Sequence, residues 1–175
     1  MEYDLDRAIR KVKDFPKKGI LFYDITSIFT NPEAFAYTIE RAIERYKNAN
    51  IDKIVCIESR GFIFGAVLAD RLKKPFALAR KKGKLPGETI SKGYTLEYGE
   101  AILEIQRSDI DEGDRVLIVD DLIATGGTIG AIIEMVKELG GSVFEIFGVI
   151  GLPFLGYMKY LDGNSIYTLI DYDSE

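Results

Sequence analysis

Val116-Leu117-Ile118-Val119-Asp120-Asp121-Leu122-Ile123-Ala124-Thr125-Gly126-Gly127-Thr128 is the stretch whose reading decides the fold. Its first four residues are all apolar, the pattern of a strand buried on both faces. Two adjacent carboxylates end that run, and a turn with paired glycines opens a helix on which Ile129, Ile132, Ile133, Val136 and Leu139 align. The same change of period recurs on either side. Residues 54–57 form a short apolar run, a helix follows over about 62–72, and residues 76–79 form a second run. Residues 143–150 and 166–170 supply two more strands. Strands alternating with helices predict an α/β domain with an open, twisted, mainly parallel sheet flanked by helices and joined by right-handed crossovers. No repeat, low-complexity tract or linker divides the chain, so residues 1–175 are read as one domain.

Outside this frame the pattern is weaker. Leu5, Ala8, Ile9 and Val12 keep helical spacing and predict a short opening helix. Phe15-Pro16-Lys17-Lys18-Gly19 breaks it, and residues 20–29 read as an irregular extended segment. Asn31-Pro32 starts the next helix, with Pro32 at its first position and Phe35, Ile39, Ala42, Ile43 and Tyr46 on one face. Residues 81–94 are rich in Gly, Lys and Ser; they are read as a long mobile loop without a core element. Residues 96–98 and 101–105 flank Gly99-Glu100 and suggest a hairpin.

Composition removes several chemistries. Of 175 residues 47% are hydrophobic, and the mean hydropathy of +0.01 is that of a soluble globular chain. No apolar run approaches the roughly 18 residues that span a bilayer. The acidic start Met1-Glu2-Tyr3-Asp4-Leu5-Asp6 lacks a secretory pattern, so a cytoplasmic location is expected. There is no histidine, which excludes Ser-His-Asp and Cys-His catalysis and His-based zinc sites. The single cysteine, Cys56, sits in an apolar run and reads as a buried thiol in a reducing compartment. A net charge of −5 argues against nucleic acid as a partner. Carboxylates, hydroxyls, Lys/Arg and backbone amides are left to do the chemistry.

Three loops carry those groups to the carboxyl edge of the sheet, where open α/β folds bind ligands. In the first, Asp120 and Asp121 precede Gly126 and Gly127, which let the backbone approach an anion. The amides of Ala124, Thr125, Gly126, Gly127 and Thr128 face it at the positive end of a helix, and the Thr125 and Thr128 hydroxyls can donate too. The acids come before the glycines, unlike the GxxxxGK[ST] order of nucleotide-triphosphate loops. Paired acids ahead of a phosphate cradle suit a ligand with both hydroxyls and a phosphate, such as ribose 5-phosphate. The second loop, Glu58-Ser59-Arg60-Gly61, serves equally as a capped turn with a solvated Arg or as a second anion site. The third, Arg80-Lys81-Lys82-Gly83-Lys84, is a cationic cluster at a strand end. An isolated charge run is usually a solvated face. At this edge, a cationic lid closing over a polyanionic leaving group is physically reasonable.

The acidic pair followed by Ala-Thr-Gly-Gly-Thr resembles the signature of the phosphoribosyltransferase family. Residues 15–22, Glu58-Ser59-Arg60-Gly61-Phe62, the run 80–87 and Tyr94-Thr95-Leu96-Glu97-Tyr98-Gly99 are similar to its adenine-specific branch, over about 15–139. The resemblance implies the type I phosphoribosyltransferase fold, with residues 1–30 as an N-terminal hood and 81–95 as a mobile lysine-rich loop. It implies Mg²⁺-dependent transfer from phosphoribosyl pyrophosphate to N9 of adenine, in purine salvage, by a cytoplasmic homodimer with no nucleic-acid or membrane partner. Asp120 and Asp121 would hold the ribose hydroxyls, and 124–128 the 5-phosphate. Ser59, Arg60, Arg80, Lys81 and Lys84 would take the pyrophosphate. Leu21, Phe22, Tyr23 and Leu122 would hold the base, and Glu97 would be its acid/base partner, with Arg60 and Lys84 in catalytic roles. The strand-to-helix loop at Glu58 often carries a strained peptide bond in this family. The metal would have no dedicated cage, being held through substrate oxygens, with Asp120 and Asp121 as its protein contacts. The chain departs from the family pattern at Lys18, Tyr23, Ser27, Gly151 and Tyr157, where Pro, Arg, Pro, an acidic residue and Arg are usual. A hypoxanthine/guanine enzyme and a non-catalytic sensor of phosphoribosyl pyrophosphate are the alternatives.

Overall fold

The decisive stretch forms the middle strand of the parallel part of a seven-stranded sheet, and the start of the helix after it, in the structure, a computed structural model that describes residues 3–95 and 100–174. In chain order the elements are α1 (Leu5–Ala8), β1 (Arg10–Lys13), β2 (Leu21–Asp24), α2 (Thr26–Phe29), α3 (Pro32–Tyr46) and β3 (Lys53–Ile57). Then come α4 (Gly61–Leu72), β4 (Phe76–Lys81), β5 (Thr89–Thr95), β6 (Glu100–Gln106), β7 (Arg115–Ile123), α5 (Gly127–Glu138), β8 (Ser142–Gly151) and β9 (Ile166–Asp171). The sheet order is β5-β6-β4-β3-β7-β8-β9. All pairings from β4 to β9 are parallel, and β5 and β6 add an antiparallel edge. Among the described residues no helix is long and apolar enough to cross a membrane.

The sheet is buried on both faces, as its apolar runs require. On one face Leu117, Val119 and Ile54 pack under α3 and α4 with Phe64 and Leu68. On the other, Val116, Ile118 and Val55 pack under α5 with Ile129, Ile132 and Val136, joined by Ile90 and Leu103 of the β5–β6 hairpin. α3 starts where the sequence puts it, because the Asn31 side chain accepts from the Glu33 and Ala34 amides, both at 3.1 Å, and Pro32 occupies the first turn.

Five expectations change. The opening helix ends at Ala8, and Val12 lies on β1, which pairs antiparallel with β2. The Ser27 hydroxyl, itself donating to the Ala8 carbonyl, accepts the Arg10 amide at 2.9 Å and turns the chain out of the helix. Residues 20–29 are regular, being β2 followed by α2. The stretch 81–94 does hold a core element: β5 runs through it, pairing along its whole length with β6 and burying Ile90. That hairpin therefore joins β5 to β6, and residues 96–98, expected to be its first strand, lie outside the described residues. Finally, β7 continues through Asp120 and Asp121 to Ile123, so the acids stand inside the strand rather than after it.

Candidate active site

β3 and β7 are parallel neighbours, with Cys56 level with Val119, so the loops that follow them emerge side by side. They touch through Gly61. A Cβ there would sit 2.8 Å from the Val119 carbonyl and 3.1 Å from Asp120 Oδ1, so only glycine lets α4 start this close to β7. The resulting cavity, of about 290 Å³, brings together Ser59, Arg60, Lys81, Asp120, Asp121, Leu122 and Thr128 from the three loops. Glu58 and Tyr94, which the sequence reading did not assign to a site, line it as well. The Glu58–Ser59 peptide is cis.

Opposite charges organise this cavity. Arg60 Nε donates to the buried Asp121 carboxylate at 2.5 Å, and the Asp121 amide donates to Asp120 Oδ1 at 2.9 Å. Burial, and then the neighbouring Asp121 carboxylate, push the Asp120 carboxyl well above its usual range. Glu58 shows the reverse outcome. Burial disfavours its ionised form, but the Lys81 amide at 3.0 Å and Arg80 Nε at 3.2 Å outweigh that and hold its carboxyl below the usual range. Arg80 also donates to the Lys84 carbonyl at 3.2 Å, and Glu104 accepts from the Gly83 amide at 2.9 Å. The cationic turn is thus held at its base by Glu58 and Glu104. The Lys84 side chain is exposed and does not line the cavity.

The start of α5 differs from that of α3. Its first-turn amides follow Gly126, which has φ +82° and offers no side-chain cap, so these donors remain available to a ligand. Gly126 rests directly on Tyr157, whose carbonyl lies 2.9 Å and Cβ 2.8 Å from where a Gly126 Cβ would stand. Tyr157 is buried, so the residue that replaces the family's usual Arg serves as the floor of this turn. The Gly151 departure has a matching explanation. The space its side chain would take is filled by the Asp171 carboxylate, which accepts from Thr168 Oγ1 at 2.7 Å.

A second, mostly apolar cavity of about 520 Å³ adjoins the first and shares Arg60 with it. It is lined by Val12, Phe15 and Phe22 from the N-terminal strands and their connection, with Asp24 and Thr26 at its rim. Phe15 and Phe22 pack edge to face at 5.0 Å. Leu21 is half-buried at the start of β2. Tyr23, expected beside the base, points the other way: it is only 5% exposed, stacks on Tyr172, and lines neither cavity. The reason is strand alternation, which sends Phe22 and Asp24 to the cavity and Tyr23 to the core. Glu97 lies outside the described residues. Among the described residues no cluster of three or more carboxylate or thiol ligands could cage a metal. The donor set at the cavity, Asp120 and Asp121, fits instead a divalent ion that brings most of its ligands with the substrate.

The chain is similar to known proteins in both sequence and shape. The phosphoribosyl transferase domain model matches residues 24–151. Adenine phosphoribosyltransferase of Treponema denticola is 53% identical over 171 residues, covering 98% of this chain and 90% of that protein. The crystal structure of the adenine phosphoribosyltransferase of Thermoanaerobacter pseudethanolicus superposes with a TM-score of 0.91 at 48% identity, covering 96% of this chain and 98% of that one. That of Trypanosoma brucei, in complex with AMP, pyrophosphate and ribose-5-phosphate, gives a TM-score of 0.88 at 30% identity, covering 95% and 77%. With the paired acids, the uncapped helix start and the adjoining apolar cavity now in place, these matches make the chain a member of the adenine phosphoribosyltransferase family.

Proposed function

We propose that the chain transfers the 5-phosphoribosyl group of phosphoribosyl pyrophosphate to N9 of adenine, giving AMP and pyrophosphate. The observation that carries this reading is the pairing of cavities, one polar and one apolar, that meet at Arg60. A sugar phosphate in the first and a flat ring in the second would be joined at that boundary.

In this reading the amides and hydroxyls of residues 124–128 receive the 5-phosphate at the positive end of α5. Asp120 and Asp121 take the ribose 2- and 3-hydroxyls. Arg60, Lys81 and the Ser59 turn face the pyrophosphate, with Arg80 held in reach by Glu58, and Lys84 approaches when the turn closes. The C1′–O bond to pyrophosphate breaks as the C1′–N9 bond forms, through an oxocarbenium-like state that carboxylates and phosphate charge stabilise. Leu21, through its backbone, Phe22 and Leu122 hold the base, and Glu97 receives the proton that N9 releases. Asp120 or Asp121 would contact Mg²⁺, which when bound would supply charge neutralisation on the leaving group. The same reading makes the protein a cytoplasmic homodimer, and its mass in solution checks the dimer.

A panel of adenine, hypoxanthine, guanine and xanthine with phosphoribosyl pyrophosphate and Mg²⁺ tests the proposal. AMP formation is expected to be fastest. A faster reaction with hypoxanthine or guanine transfers the assignment to that enzyme, and no turnover with any base favours a sensor.

A further inference from the structure

We propose that Tyr172 is a positioning residue for base binding, latching the hood strands β1 and β2 to the body of the protein. The inference rests on the proposed reaction only for its kinetic readout. β1 and β2 form a sheet of their own, with no ladder to the seven-stranded sheet. Their position over the apolar cavity is therefore set by side chains, and several of these converge on Tyr172. Its amide donates to the Gly151 carbonyl at 3.0 Å, tying it to the end of β8. Its ring stacks on Tyr23 of β2 with centroids 3.8 Å apart and planes 15° apart. Its hydroxyl donates to Asp6 of α1 at 2.6 Å. Lys11 of β1 pairs with the same Asp6 at 2.7 Å and stands 5.2 Å above the Tyr172 ring. Tyr23 Oη adds a bond to the Ser174 carbonyl at 3.3 Å.

One residue thus gathers α1, β1 and β2 and connects them to β8. The geometry also gives Tyr23 a purpose, since its flat ring is what Tyr172 stacks against. Phe22 precedes Tyr23 on β2 and faces the cavity, so a shift of the Tyr23 ring moves the wall of the base pocket directly. The polar cavity is built on strands of the main sheet and does not depend on this contact.

The test is steady-state kinetics and amide hydrogen exchange on Tyr172→Ala, Tyr172→Leu and Tyr172→Phe. Losing the stack and the hydroxyl bond is expected to raise the adenine KM about tenfold in Tyr172→Ala, with kcat and the phosphoribosyl pyrophosphate KM within about twofold. Tyr172→Phe keeps the stack and should recover most of the loss. Tyr172→Leu keeps bulk without a ring and carries the test if the alanine variant does not fold. Exchange should quicken over residues 10–24 and stay unchanged over 115–123. An unchanged adenine KM in Tyr172→Leu, or a parallel change in both KM values and kcat, overturns the latch. If the wild-type protein makes no AMP, the reaction is wrong, while the exchange pattern still judges the latch on its own.

Discussion

The two cavities are built in opposite ways. The polar one is cut into the main sheet, where Asp120 and Asp121 belong to the middle strand of its parallel part and helix α5 begins four residues after that strand ends. The apolar one is closed by a two-stranded appendage held on by side chains. Charge recognition needs fixed dipoles, because oriented donors and acceptors lose their advantage if they must reorganise. A flat apolar ring tolerates an adjustable wall. Damage to the first cavity should therefore abolish activity, and damage to the second should weaken one substrate.

The largest effect is expected at Asp121. Asp121→Ala strands Arg60 without its partner and removes a ribose contact, so initial rates should show kcat/KM falling on the order of 10³-fold. A loss below tenfold would break the contrast. Next comes Gly126→Ala, which forces a side chain onto a left-handed backbone and against Tyr157. A cost of about 2 kcal/mol in holding the turn should raise the KM for phosphoribosyl pyrophosphate about 30-fold. On the apolar side, Phe22→Ala should raise the adenine KM about tenfold and leave the other KM alone. Equal effects on both substrates would mean that the cavities are not separable.

Two smaller effects sharpen the comparison from outside it. Asn31→Ala removes the cap of α3, a helix remote from the chemistry. It should cost about 1 kcal/mol and a few degrees of Tm, with kcat unchanged. Cys56 is buried between β3 and α4, where burial and then the Asp120 carboxylate push its thiol up to about 12. A thiolate-seeking reagent at pH 8 should leave the folded protein unlabelled and react only after denaturation. Rapid labelling of the native protein would show that the packing of α4 on β3 opens.

The same division explains what the sequence made legible. From Val116 to Thr128 period, acid pair and glycines are contiguous, so fold and site could be read together. The hood could not be read this way. Each of its strands has four residues, too few to show a period, and Val12 satisfies helical spacing with Leu5 and Ile9 while lying on a strand. In β5 the inward residues Ile90, Lys92 and Tyr94 do alternate, but Lys and Gly in the same stretch made the composition look like a loop. Glu58 was legible as part of a motif but not as the residue that holds Arg80, because that contact joins different strands. Tyr23 was placed at the base because its neighbour belongs there, and strand alternation separates the two.

The bond between Tyr172 and Asp6 spans 166 residues of chain. Closing so large a loop costs entropy that only the finished sheet can offset. During synthesis the hood strands leave the ribosome long before the residue they dock against has been made. The phosphate cradle needs β7, α5 and the Tyr157 floor beneath Gly126, while the base pocket has to wait for Tyr172, further along the chain. The protein therefore acquires its grip on the sugar before it acquires its grip on the purine, and the first segment translated is among the last to find its place.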